Sequence, residues 1–362
     1  MLRPWNDRPL DDLLAERGLA GLPEGLFPND GWSGATLTVL EREKERFVLK
    51  RTSWATDWIA RATDDHSLRE GWLAANRPRL FPPPVAPYFG AAADGASLAI
   101  LMPDLSGELI AWERPAHEPG IDAETLGRVV DAVACLHFQP WRPGTIHDTF
   151  PWCAVRPRLL LLSRPAAERY RSEGLAVGER FLAGWDAFDR LASPAARDLI
   201  QRLVDEPKPL LDALERLPRV GLHGDLKLAN VALFADGRVG LIDWQLVTLA
   251  PVAVELGWFL VSNAPLLPEP PDRVLERYLV RARWHSNRYS GGVDGPPTRT
   301  IDSVLDDWAA QVDLTWIVGL LLRGWRKGLD AESGTPTGWG GSGSDDLAWW
   351  SRRAVEAADR RL

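Results

Sequence analysis

Between residues 231 and 242 the chain reads Val231-Ala232-Leu233-Phe234, then Ala235-Asp236-Gly237-Arg238, then Val239-Gly240-Leu241-Ile242. Two apolar runs around an Asp-Gly turn predict a β-hairpin. Polar residues flank it closely: His223-Gly224-Asp225-Leu226-Lys227-Leu228-Ala229-Asn230 leads in, and Asp243 follows at once. Because the turn reverses the chain, Asn230 and Asp243 are expected at one end of the hairpin, although 13 positions separate them.

The rest of the chain divides by pattern. A polar helical start (Asp11 to Arg17) and a loop at Leu22-Pro23 precede strand-prone Ala35 to Leu40 and Phe47 to Lys50, joined by the charged run Glu41 to Arg46. Asp65 to Asn76 has helical spacing, with Pro78 expected to limit it. Pro82-Pro83-Pro84 and Pro87 read as a stiff linker, and Leu98 to Met102 as a strand stopped by Pro103-Asp104. Beyond that point helices dominate, beginning with Ala123 to Phe138, where apolar residues recur every three or four positions. Asn287 to Arg299 and Glu332 to Asp345 are rich in Gly, Pro and Ser and read as loops.

Length and composition set outer limits. At 362 residues the chain is long enough for two units, and 45% hydrophobic residues supply a large core. A net charge of -8 argues against nucleic-acid binding and suits a cationic partner better. The two cysteines, Cys135 and Cys153, are too few for a disulfide framework or a cysteine zinc site, so a reducing cytoplasm is expected. The N-terminal run has no apolar core of the secretory kind. Leu314 to Leu322, bounded by Asp313 and Arg323, is too short to cross a bilayer and reads as a buried helix. No membrane partner is expected.

The polar residues around the hairpin suit phosphoryl transfer, which needs phosphate charge neutralised, magnesium held and an acceptor hydroxyl aligned and deprotonated. Asp225 can orient a hydroxyl, while Asn230 and Asp243 offer the hard oxygen ligands that Mg²⁺ favours. His223 reads as a hydrogen-bonding brace of the loop. Gly31-Trp32-Ser33-Gly34 precedes the first strong strand, where Ser33 and Gly34 could bring backbone N–H groups to phosphate oxygens.

His-x-Asp-x-x-x-x-Asn, a hairpin and then an Asp resembles the catalytic and metal-binding segments of kinase-fold enzymes. With Gly224 after His223 and Ile242-Asp243-Trp244-Gln245 at the exit, the segment is similar to the aminoglycoside phosphotransferase and choline kinase branch. Val254-Glu255-Leu256-Gly257-Trp258-Phe259 resembles the helix that follows there, with Glu255 where Asp is more usual. The resemblance implies an α+β, bilobal protein-kinase-like fold, with a small β-rich N-lobe (residues 1–103) and a larger, mostly helical C-lobe (residues 104–362). It implies Asp225 as catalytic base, Lys227 on the transferred phosphate, and Asn230 and Asp243 on magnesium. Lys50 would contact the nucleotide phosphates with Glu70 as its partner, and a hinge at Leu101 to Asp104, including Met102 and Asp104, would receive the adenine. The implied cofactors are ATP, with GTP not excluded, and Mg²⁺.

A small-molecule acceptor is expected, because Gly224 stands where regulated protein kinases carry Arg and only Trp244 to Pro251 separates Asp243 from the next helix. An aminoglycoside or amino sugar would be drawn to Asp302, Asp306, Asp307, Asp313, Asp345 or Asp346. The tryptophans of the helical part, among them Trp258, Trp284, Trp308, Trp316, Trp325, Trp349 and Trp350, could cage an amino-alcohol or stack on a sugar. A catalytically silent nucleotide-binding relative is the reading from another class. The sequence leaves the oligomeric state open.

Overall fold

The computed structural model describes residues 2–28, 31–80, 88–111, 120–138, 149–289 and 305–362. The chain forms two compact units, each assembled from separate stretches of sequence. Unit 1 comprises residues 1–110, 140–153 and 229–247; unit 2 comprises 111–139, 154–228 and 248–362. The fold is α+β, with a β-sheet N-terminal region and a helical C-terminal region.

Unit 1 is built on an antiparallel sheet of β1 (Glu24–Leu26), β2 (Thr36–Arg42), β3 (Glu45–Thr52), β4 (Gly90–Asp94) and β5 (Ser97–Pro103), in the order β1-β2-β3-β5-β4. The β2–β3 hairpin is longer than the sequence suggests. The charged run pairs through Arg42↔Glu45, which leaves Glu43 and Lys44 at the tip and Glu43 at φ 55°. β1 and β4 escape pattern reading because Glu-Gly-Leu and Gly-Ala-Ala-Ala-Asp show no β-branched alternation; backbone pairing makes them strands.

Alternation assigns the two faces of this sheet. Leu40, Phe47, Leu49, Ala99 and Leu101 form a core with Leu10 and Leu13 of α1 (Leu10–Glu16). Opposite neighbours share a face, so Lys50 lies with Leu37 and Ile100, and Val48 with Met102, on the other side.

Two further helices belong to this unit. α2 (Trp58–Ala62) is capped by Asp57. α3 (Arg69–Leu80) begins four residues later than the periodicity suggests, because the Asp65 carboxylate accepts from the Arg69 N–H and Leu68 is left-handed at φ 49°. It also runs on through Pro78, whose missing N–H costs a single bond in the last turn. The Pro82 to Pro87 linker lies outside the described residues. The expected hairpin is present as β7 (Val231–Leu233) and β8 (Val239–Leu241), which follow β6 (Val220–Leu222) in the chain. β7 bridges to unit 1 backbone at Leu109↔Ala232.

Unit 2 pairs β6 with β9 (Thr248–Ala250) and is otherwise helical. Its helices are α4 (Ala123–Phe138), as expected, α5 (Val155–Leu160), α6 (Arg164–Ser172), α7 (Ala176–Leu191), α8 (Pro194–Asp205) and α9 (Lys208–Glu215). After β9 come α10 (Val252–Ser262), α11 (Pro271–Tyr289), α12 (Trp308–Ser333) and α13 (Gly343–Arg361). Asn287 to Tyr289, expected as loop, ends α11, and the rest of that segment lies outside the described residues. Between Glu332 and Asp345 the loop is shorter than expected, because Ser342 and Asp345 form a capping box that starts α13. No described helix is long and apolar enough to cross a membrane.

α12 is the hub of unit 2, packed on α7, α10 and α13. Its approach to α10 depends on absent side chains. A Cβ at Gly257 would meet the Thr315 carbonyl at 2.8 Å and the Gly319 nitrogen at 2.9 Å, whereas one at Gly127 in α4 meets nothing within 4 Å. Gly257→Ala is therefore expected to destabilise by about 1–3 kcal/mol through overpacking, and Gly127→Ala to stabilise by about 0.5–1 kcal/mol through helix propensity. Equilibrium denaturation of the two variants checks the opposite signs.

Candidate active site

In unit 1 the site is organised around Lys50. Its Nζ donates to Glu70 Oε2 and to Asp243 Oδ1, both at 2.7 Å, so one ammonium joins β3, α3 and the residues after β8. Burial alone would lower the Lys50 pKa, but the charges of Asp243 and Glu70 and the hydrogen bonds to them raise it well above the ordinary lysine value. Tyr88 closes the network: its hydroxyl donates to Glu70 Oε1 at 3.1 Å and accepts the Asp243 N–H at 3.1 Å. Burial, and then the neighbouring carboxylates, keep this phenol protonated. Asp243 stands at φ 66°, a left-handed conformation uncommon for Asp, and the bond from its N–H to Tyr88 helps to hold it there.

Next to Glu70, Arg69 donates to the Gln245 carbonyl at 2.9 Å and the Pro151 carbonyl at 3.0 Å, fixing the start of α3 to the chain after Asp243. Asn230 accepts the Ile242 N–H on its backbone oxygen at 3.0 Å. Asn230 and Asp243 thus sit at the same end of the β7–β8 hairpin, as the turn predicts. An amide and a carboxylate at this end of the hairpin could offer hard oxygens to a magnesium ion whose other ligands are phosphate and water. Among the described residues no group of three or more His, Cys, Asp or Glu could hold a metal without such help.

Ser33 and Gly34 rest on the segment that leads into α2. The Ser33 carbonyl accepts the Trp58 N–H at 3.2 Å, and the Trp58 indole donates to the Trp32 carbonyl at 2.6 Å. Gly34 has φ +94°, and a Cβ there would lie 2.4 Å from the Thr56 carbonyl, so this packing by itself explains the glycine. Met102 is buried in β5 on the Lys50 face. Asp104 is engaged locally: its N–H goes to the Arg46 carbonyl at 3.0 Å, and its carboxylate binds Arg46 at 2.7 Å and caps Ser106.

Unit 2 contributes the loop with Asp225. Glu255 of α10 accepts the His223 N–H at 2.8 Å on one oxygen and the Gly224 N–H at 2.7 Å on the other. Burial pushes the Glu255 carboxyl up, but hydrogen bonding and charge from His137, with His223 and the Gly224 N–H, bring it below the usual carboxylate range. His137 is held in turn by Tyr278 at 2.7 Å. From the other side Arg158 donates through Nε at 2.8 Å, and through Nη2, to the Gly224 carbonyl. Gly224 has φ 85°, which favours glycine. His223 Nδ1 accepts the Asp225 N–H at 3.2 Å, the bracing role expected of it. Asp225 is buried at 4% exposure, with Lys227 Nζ 3.3 Å from its carboxylate. The Asn263 side chain accepts the Leu228 N–H at 2.8 Å and fixes the loop exit.

Most acidic residues expected to attract a cationic acceptor already have partners. Asp313 binds Arg360 at 2.6 Å and Arg361 at 2.7 Å, Asp346 binds Lys327, Asp307 caps α12, and the Asp345 carboxylate accepts from Ser342 in the capping box of α13. Asp306 is on the surface, and Asp302 lies outside the described residues. Five of the seven tryptophans carry arginines of the chain itself: Arg158 and Arg323 lie over Trp258, Arg323 over Trp325, Arg353 over Trp316 and Trp349, and Arg288 over Trp284, whereas Trp308 stacks on Tyr278.

Tyr88, Arg69, Asp57, Arg158 and Arg323 were not identified as site residues from the sequence. No local pattern marks Tyr88, Arg69, Arg158 and Arg323, because each acts through a partner distant in the chain, whereas Asp57 is a local helix cap. Asp57 accepts from the Ile59 and Ala60 N–H groups, and burial pushes its carboxyl up to about 6, against the Ala60 bond and the Lys50 charge.

The sequence between residues 24 and 289 matches the model of the phosphotransferase enzyme family, APH. Among solved structures, amicoumacin kinase hAmiN in complex with AMP-PNP, Ca²⁺ and Ami aligns at TM-score 0.50 and 12% identity, over 96% of this chain and 93% of that chain. It shows a shared fold. A choline kinase from Cryptosporidium parvum Iowa II aligns at TM-score 0.49 and 11% identity, over 95% of this chain and 90% of that chain. An aminoglycoside phosphotransferase from Alicyclobacillus acidocaldarius aligns at TM-score 0.40 and 16% identity, over 95% and 91%. Curated protein sequences give no match.

Two predictions follow from this geometry. Glu255→Ala orphans two buried N–H groups at about 1–3 kcal/mol each, so urea denaturation is expected to show a loss of at least that size, with Glu255→Gln losing less. The raised Asp57 carboxyl contributes stability below its ordinary value of 3.8 that is lost as pH rises through about 6. The gap between those values corresponds to about 3 kcal/mol at neutral pH. Asn also caps helices, so Asp57→Asn should hold the melting temperature flatter across this range than the parent protein does.

Proposed function

The chain belongs to the phosphotransferase enzyme family and is a small-molecule kinase; from that premise we propose that it transfers the γ-phosphoryl group of ATP, with Mg²⁺, to a hydroxyl of its acceptor. The observation that carries this reading is the buried lysine of β3 bonded at 2.7 Å both to a helix glutamate and to the aspartate after the hairpin. A buried ion triad is a costly way to stabilise a fold, since apolar residues of similar volume often do as well. It suits a site that must meet a polyphosphate with a fixed charge.

In this reading Lys50 binds the α- and β-phosphates, and Glu70, positioned by Tyr88, keeps the ammonium in place. Asp243 and Asn230 hold the metal, which when bound neutralises charge on the phosphate oxygens. Backbone N–H groups at Ser33 and Gly34 cover the phosphates. Met102 lies against the base, and the backbone from Leu101 to Asp104 receives the adenine edge through groups other than the Asp104 N–H, which Arg46 already engages. GTP fits the same phosphate contacts.

Asp225 accepts the proton of the acceptor hydroxyl as the oxygen attacks phosphorus, and the ADP oxygen leaves with the bonding pair. Its ordering by Glu255, His223 and Arg158 supports that role, because a base must be held within hydrogen-bond reach of its proton. Lys227 meets charge on the transferred group in this reading, which its position 3.3 Å from the Asp225 carboxylate supports. An aminoglycoside, an amino sugar, a sugar or an amino-alcohol is a candidate acceptor by family resemblance.

ADP release in the presence of a broad panel of hydroxyl compounds tests the activity. Asp225→Asn is expected to lower kcat by about 10²–10⁴-fold while leaving nucleotide affinity close to that of the parent. Asp243→Ala is expected to weaken magnesium-dependent nucleotide binding. Unchanged turnover in the first variant, or unchanged metal dependence in the second, would remove these roles.

A further inference from the structure

Arg323 has no use in the mechanism above, yet it is 7% exposed and lies at the one position where α12 leaves helical geometry, with φ −134° and ψ 15°. Its guanidinium lies 4.9 Å from the centroid of Trp258 and 4.9 Å from that of Trp325. Stacking satisfies the faces of the group but not its N–H donors, which lie in its plane. Among the described residues Nε has no hydrogen-bond partner, and no carboxylate comes within ion-pair distance.

The position of this open edge matters. Trp258 also carries Arg158, 4.3 Å from the same ring, and Arg158 holds the carbonyl of Gly224, the residue before Asp225. Arg323 is therefore linked to the loop that carries the proposed base through one indole and the Arg158 guanidinium. Arg326 stands nearby but is already paired with Asp330 at 2.8 Å. Counting Arg323 itself with Arg158 and Arg326 against Asp225 and Asp330, cations outnumber carboxylates among the main charges that act on this group. Burial first, and then Arg326 and Arg158, pull Arg323 down to about 9, against the opposing charges of Asp225 and Asp330.

A polycation would meet repulsion here, and a quaternary ammonium would find both neighbouring indole faces occupied. The missing component is negative. A guanidinium that lies over two indoles and whose Nε has no hydrogen-bond partner among the described residues suits a planar or tetrahedral oxyanion, which arginine binds through paired N–H groups.

We propose that Arg323 recognises an oxyanion carried by the acceptor, a carboxylate or phosphate ester, so that the molecule phosphorylated at Asp225 is a small hydroxylated acid rather than a polycation. This assignment of substrate class rests on the kinase reading, whereas the anion site stands without it.

Two measurements separate these statements. In the first, the melting temperature is compared in sulfate and in chloride at equal ionic strength, without nucleotide, for the parent, Arg323→Met, Arg323→Lys and Asp225→Asn. Sulfate also stabilises proteins generally, so the difference between variants is the readout. The sulfate-specific rise is expected in the parent and in Asp225→Asn, reduced in Arg323→Lys and absent in Arg323→Met. An equal rise in all four overturns the anion site whether or not the protein is a kinase.

In the second, ADP release is followed with matched acceptors: hydroxy acids and their amides, sugar acids and the parent sugars, and amino sugars. The acid of each pair is expected to be preferred, and Arg323→Met to raise KM for acids by about 10–100-fold, the loss of a charge-assisted bond, without changing KM for amides. Preference for amino sugars overturns the proposal. So does an equal fall in kcat on every acceptor at unchanged KM, which would place Arg323 on the transferred phosphoryl group instead. If Arg323→Met only lowers the melting temperature and leaves acceptor selectivity intact, the residue is a structural stack and the proposal fails.

Discussion

One ammonium group organises unit 1. Lys50 sits between Glu70 and Asp243, and these three residues come from a strand, a helix and the end of a hairpin that is remote in sequence. Removing the lysine would leave two buried or half-buried carboxylates facing each other, a costlier state than either ion pair. Much nearby structure serves this arrangement: Asp65 sets the start of α3, Arg69 ties that start to Gln245, and Tyr88 links Glu70 to the left-handed backbone at Asp243.

Unit 2 solves a different problem, the placement of a loop with no regular structure. It does so by binding the loop backbone. Glu255 takes two consecutive N–H groups, Arg158 takes the carbonyl between them and Asp225, and Asn263 takes the Leu228 N–H. Glu255 and Arg158 come from helices and Asn263 is the C-cap of α10, so the loop acquires the rigidity of those helices. Glu255 in place of the more usual Asp makes the reach longer, yet both of its oxygens find donors. Arg158 and Arg323 share Trp258, so the same indole that stacks on a scaffold arginine also presents a second guanidinium whose edge has no partner among the described residues.

Acidic composition alone pointed toward a cationic acceptor, and the packing weakens that inference. Asp313 and Asp346 are ion-paired, Asp307 and Asp345 are engaged at helix N-termini, and five of the seven tryptophans named for caging an ammonium already lie against arginines. Net charge describes the whole surface, while recognition depends on the few groups that folding leaves without partners. In unit 2 one buried group of that kind, joined to the Asp225 loop through Trp258 and Arg158, is a cation.

The sequence by itself determined the β7–β8 hairpin, through its Asp-Gly turn, and with it the shared end of Asn230 and Asp243. It also determined the strand that carries Lys50, the α4 helix and the polar series from His223 to Asn230, because spacing and turn chemistry are local. β1, β4 and the start of α3 were less legible, since backbone pairing and an Asp65 cap override weak side-chain patterns there. Only the tertiary structure decided that residues 229–247 belong with the N-terminal sheet, that Tyr88 and Arg69 hold the Lys50 network, that Glu255 and Arg158 hold the loop bearing Asp225, and that Arg323 shares Trp258 with Arg158. Those facts depend on pairs of groups separated by tens to hundreds of residues, and no local pattern encodes which buried charge will find a partner and which will not.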